Sequence, residues 1–111
     1  MTTRKLEPGE WQGYFDGVSK RIPSVRVGVS ILGDKVGVQS EAQGSPLVGI
    51  SWDHNDRVLT VDTTHWSHRM EGPSEIFVRE EGGTLSSIEV VHTDGTKQIV
   101  ELEPLPALPA S

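Results

Sequence analysis

The chain has 111 residues, a formal net charge of −6 and no cysteine. One hydrophobic core can hold a chain of this length, and two ordinary domains do not fit in it. Disulfides, thiolate metal sites and cysteine nucleophiles are excluded outright.

No apolar run approaches the ~20 residues that a bilayer-spanning helix needs. Arg4 and Lys5 near the start have no apolar stretch behind them, so no secretory signal is read and a cytoplasmic location is expected. The charge is uneven: residues 1–35 carry six basic and four acidic side chains, and 36–111 carry four basic and twelve acidic. The acidic later part repels phosphate. Nucleic-acid binding, which needs many released counterions, is therefore not expected despite the cluster Arg4, Lys5, Lys20, Arg21 and Arg26.

In chain order, a helix is predicted over 7–22. Pro8 suits a first turn, Glu7 and Glu10 complement the helix dipole, and Trp11, Phe15, Val18 and Ile22 recur on one stripe. Gly13 and Gly17 weaken it, so packing must hold it, and Pro23 ends it. Seven strands follow. The first, 24–32, alternates Val25, Val27, Val29 and Ile31 against Arg26, Gly28 and Ser30. After a Gly33-Asp34 turn the chain returns over 35–43, and Gly44-Ser45-Pro46 is expected to interrupt it. Strands are then read at 47–52 and 57–63, joined by an Asp53-His54-Asn55-Asp56 turn.

Residues 64–73 lose the alternation, and a short helical turn closed by Gly72-Pro73 fits them. Strands resume at 75–80, 85–92 and 97–103, with turns at Gly82-Gly83 and Asp94-Gly95. The proline-rich tail 104–111 is expected to lie extended. The fold class is thus mostly β (α+β): a single domain in which the helix covers an end or open edge of a sandwich or small partly open antiparallel barrel over 24–103.

The opening R-K-L-x-x-x-x-W-x-x-Y-F, the middle L-V-G-I-S-W-D, and H-R-M-E-G-P-S-E-I-F-V carry a resemblance. So do S-S-I-E-V-V-H-T-D-G-T-K-Q-I-V-E-L and the closing P-L-x-A-L-P. The chain resembles a small bacterial family whose members carry a domain of unknown function. The resemblance spans nearly the whole chain and implies one domain in a bacterial cytosolic setting. It carries over no activity and no functional residue.

Chemistry is sought first in the histidines. On a helical turn His65 and His68 would share a face and could chelate a metal, with His54, His92, Asp53 or Asp62 completing the shell. No metal motif supports this, and neither a metal nor a cofactor is expected. Asp53-His54-Asn55-Asp56 lacks the oxygen series of a calcium loop. Gly49-Ile50-Ser51 is not a nucleophile elbow, and Gly82-Gly83 precedes no helix that could hold a phosphate. No catalytic residue is assigned.

What remains is the composition of 64–73. A tryptophan, two histidines and a methionine are unusual choices for a plain connector. His65, Trp66, His68 and Met70 are therefore the expected binding residues of a non-catalytic interaction or regulatory module for a protein or small ligand. The alternative is a small metal-assisted or acid–base enzyme using His65 and His68. A third reading, a nucleic-acid-binding barrel, is opposed by charge.

Overall fold

A computed structural model describes residues 2–21, 25–33, 37–82 and 84–104. The elements run β1 (Thr2–Leu6), a 3-10 turn (Pro8–Glu10), α1 (Trp11–Arg21), β2 (Val25–Gly33) and β3 (Gly37–Asp53). They continue with β4 (Val58–Thr63), β5 (Ser67–Glu71), β6 (Pro73–Glu81), β7 (Thr84–His92) and β8 (Lys97–Pro104). All strand pairs are antiparallel, in one sheet of order β1-β6-β7-β8-β2-β3-β4-β5. Ile22 and Pro23 at the expected helix end, Asp34 of the first turn, Val36, Gly83 and residues 105–111 lie outside the described residues.

The core follows from the alternation. Val78, Ile88, Val100 and Val29 face one another across β6, β7, β8 and β2 in a single row, each essentially inaccessible. Leu102 beside Val27, and Leu59 between Trp52 and Met70, extend the same face. One apolar cluster joins all eight strands and the helix. Each such side chain stabilises the fold by roughly 1.5–3 kcal/mol.

The sheet is one layer, so the expected sandwich does not form, and it is not closed into a barrel: β1 and β5 are its edges. It is nevertheless strongly curled. Four strand spacings separate β5 from β8, about 19 Å in a flat sheet. Yet His68 on β5 hydrogen-bonds Gln98 on β8.

Four local expectations are corrected. First, β1 was not expected; Leu6, Arg4 and Lys5 pair with Ile76, Val78 and Phe77 on β6. Two strong charges on an edge strand hide the pattern, and such charges discourage further pairing. Second, Gly44-Ser45-Pro46 does not break the chain. The expected strands at 35–43 and 47–52 are one strand, β3, which changes partner there from β2 to β4. Register shifts on both sides of this point let the strand bend, and a proline is tolerated in a bulged stretch. Val48, at the second shift, is pushed outward and is 65% exposed.

Third, the helical turn expected within 64–73 is instead the strand β5, paired with β4. Thr63 makes the turn before it. Its Oγ1 accepts from the Trp66 N–H at 3.0 Å and donates to the Trp66 carbonyl at 2.7 Å. Gly72, at φ 59°, then turns the chain straight into β6, and Pro73 opens that strand, where no ladder donor is lost. Fourth, residues 8–10 form a separate 3-10 turn, with Glu10 closing a reciprocal cap on Glu7 before α1 begins.

The helix covers the edge that β3 exposes when it leaves β2. Trp11 meets Trp52 edge to face at 4.8 Å, and the Trp11 indole N–H donates to the Leu6 carbonyl at 3.2 Å. Ser19 Oγ donates to the Ile50 carbonyl at 2.7 Å and accepts from the Ile50 N–H at 3.0 Å. One hydroxyl thus takes the place of a neighbouring strand at that residue.

Candidate functional site

The four residues singled out in 64–73 have different fates. Met70 is fully buried, beside Leu59 in the core, and forms no surface. His65 is exposed at the tip of the β4–β5 hairpin. Trp66 is half-buried and packs against the core cluster. His68 lies on the inner face of β5, in phase with Met70. His65 sits at the hairpin tip and His68 points inward from the strand. The shared face a helical turn would have given them does not form.

His68 Nε2 instead bonds the Gln98 amide oxygen at 2.5 Å, and the Gln98 amide nitrogen meets His92 Nε2 at 2.8 Å. The three side chains come from β5, β8 and β7 and are all partly buried. Gln98 was missed. The available signal was its phase: it shares the inward face with Val100 and Leu102, where a polar side chain needs a partner. Ser19, four residues after Phe15 on the helix stripe, carried the same kind of signal.

His54, Asp53 and Asp56 belong to the β3–β4 turn. Asp53 Oδ1 accepts from the N–H groups of Asn55 and Asp56 at 2.9 and 3.0 Å, the turn role expected of it. Asp62 accepts from the Ser67 hydroxyl. Among the described residues no three His, Asp or Glu side chains group as metal ligands, and no described helix is long and apolar enough to cross a membrane.

Over residues 2–111 the sequence matches the model of a family of unknown function, DUF5335. The chain belongs to this family. A relative from Aquifex aeolicus (strain VF5), an uncharacterised protein, is 38% identical over 98% of this chain and 99% of its own length. No solved structure matches. The DUF5335 chain is therefore a bacterial-type single unit whose site must be read from its geometry.

Two surfaces compete for that role. The outer face of β6–β8 holds an open trough of about 440 Å³ with Phe77 and Ile99 on its floor. Arg79, Glu89 and Glu101 line it, Lys97 pairs with Glu89 at 3.8 Å, and Lys5 pairs nearby with Glu75 at 2.9 Å. Interleaved charges of both signs describe a solvated face.

The edge of β5 is different. The Thr63 N–H bonds the Trp66 carbonyl and the Gly72 N–H bonds the Arg57 carbonyl. By antiparallel alternation His68 and Met70 therefore bond β4, and the main-chain groups of Ser67, Arg69 and Glu71 point away from it. Among the described residues none pairs with these outward groups. Their side chains are exposed, and Trp66 and His65 stand at one end of the row.

Proposed function

We propose that this DUF5335 chain is a non-catalytic interaction module that takes an extended segment of a partner protein along the free edge of β5. The observation carrying this reading is the row of outward N–H and C=O groups at Ser67, Arg69 and Glu71, bordered by a half-buried tryptophan. Main-chain pairing supplies affinity in such strand addition, and flanking pockets or rings supply selectivity. Trp66 offers an amphipathic ring of the kind enriched at interfaces. His65 and His68 stand apart, and His68 is engaged by Gln98, so the acid–base alternative lacks a working pair. A cytoplasmic setting and the absence of nucleic-acid partners belong to the same proposal; the net charge of −6 supports the second, and cell fractionation checks the compartment.

The test compares two variants of the full chain in capture from native lysate. Arg69→Pro removes an outward N–H that β4 does not use, a position where an edge strand tolerates proline. Arg69→Ala removes only the side chain. A partner kept by Arg69→Ala and lost by a folded Arg69→Pro supports strand addition. A partner held equally by both refutes it.

A further inference from the structure

We infer that the His68–Gln98–His92 chain is a proton-sensitive latch that holds the edge strand β5 against the β7–β8 end of the curled sheet and loosens it in acid. The inference stands on the fold alone and needs no partner.

The argument is one of donors and acceptors. A glutamine amide has one donating and one accepting end, and Gln98 spans both imidazoles with them. Its oxygen accepts from His68 Nε2–H, and its nitrogen donates to His92 Nε2, which must then be bare. A proton added to His68 at Nδ1 leaves both bonds intact. A proton on His92 Nε2 sets donor against donor, and flipping the amide relieves this only while His68 is neutral and can carry its own hydrogen on Nδ1. The bridge thus tolerates one imidazolium and not two. A second proton breaks a bond and sets two cations at either end of one amide.

The surroundings offer little to offset this. His68 faces Val61 on β4 and lies in phase with Met70, with Trp66 packed on the same core. Gln98 faces Val90 on β7 and Ile31 on β2, and His92 faces Pro73 on β6. Arg69, Glu71 and Lys97 alternate to the opposite face of their strands. Asp94, in the β7–β8 turn, is a carboxylate that feels His92. The Thr96 main-chain N–H chiefly holds it below the usual carboxylate range, and the charge of His92 adds a smaller share. Among the described residues the latch joins β5 to strands it does not pair with, since its ladder partner is β4.

Amide hydrogen exchange on the full chain, followed by NMR at about pH 7.5 and about pH 5, spans the range where histidine takes up protons. With intrinsic rates corrected, protection at His68 and Met70 should fall roughly fivefold to tenfold in acid, the size of one lost hydrogen bond. Val29 and Val100, in the central row, should keep theirs. In Gln98→Glu a carboxylate can accept from both imidazoliums, so β5 protection should hold or rise in acid. Unchanged β5 protection in the native chain overturns the latch. So does a Gln98→Glu variant that loosens as much as the native chain.

Discussion

Trp11 and Trp66 border the same core but differ in what their removal would cost. Trp11 is 2% exposed, stacks edge-on against Trp52 and donates to Leu6. Trp66 keeps part of its surface in solvent. Urea unfolding should show Trp11→Ala losing about 3–5 kcal/mol and Trp66→Ala about 1–2 kcal/mol, in proportion to the smaller buried area. A second residue sets two local effects against each other. Arg57 holds φ 55°, a left-handed conformation that glycine adopts without strain, while its guanidinium lies 5.7 Å from the Trp52 ring centre. Relief of about 1 kcal/mol and loss of about 0.5–1 kcal/mol of cation–π attraction nearly cancel. Arg57→Gly should therefore unfold close to the native midpoint, whereas Arg57→Ala, which keeps the strain and loses the ring contact, should unfold earlier.

At the scale of elements, α1 is held by its contacts more than by its sequence. Gly13 is exposed, and a methyl group there would meet nothing within 4 Å. Gly13→Ala should raise stability by about 0.5–1 kcal/mol in the same titration. The strands differ in how readable they were. β2, β6, β7 and β8 alternate cleanly, and the Asp94-Gly95 hairpin pairs Val90 with Gln98 and Ile88 with Val100. β5 was hidden because its inward positions hold histidine and methionine, which read as polar and flexible until the Gln98 partner is known. β3 looked like two strands because Pro46 stands where the chain changes partner. A proline at a bulge and a proline at a strand end look alike in one sequence. The excursion at 64–73 stands out in the sequence for its composition. Its chemistry was misjudged because faces were assigned with helical spacing, which joins His65 to His68 and leaves Met70 exposed.

For the molecule as a whole, connectivity governs how the fold forms. β2 pairs with β8 and β1 with β6, so the central row of the core joins segments far apart in the chain. Such topology closes long loops before contacts stabilise it, and refolding should take milliseconds to seconds rather than microseconds. Stopped-flow tryptophan fluorescence measures this. The single core in turn makes unfolding cooperative, so fluorescence and circular dichroism transitions should coincide. Against that frame the proposed place for a partner is the edge of β5, whose outward main-chain groups no described residue pairs with. Residue-resolved hydrogen exchange, with and without the partner that Arg69→Ala retains, tests this most directly. Free protein should exchange quickly at Ser67, Arg69 and Glu71, and bound protein should protect those three amides while His68 and Met70 stay protected throughout. Fast exchange at all three in the complex, with new protection over Phe77 and Ile99 instead, would contradict the account.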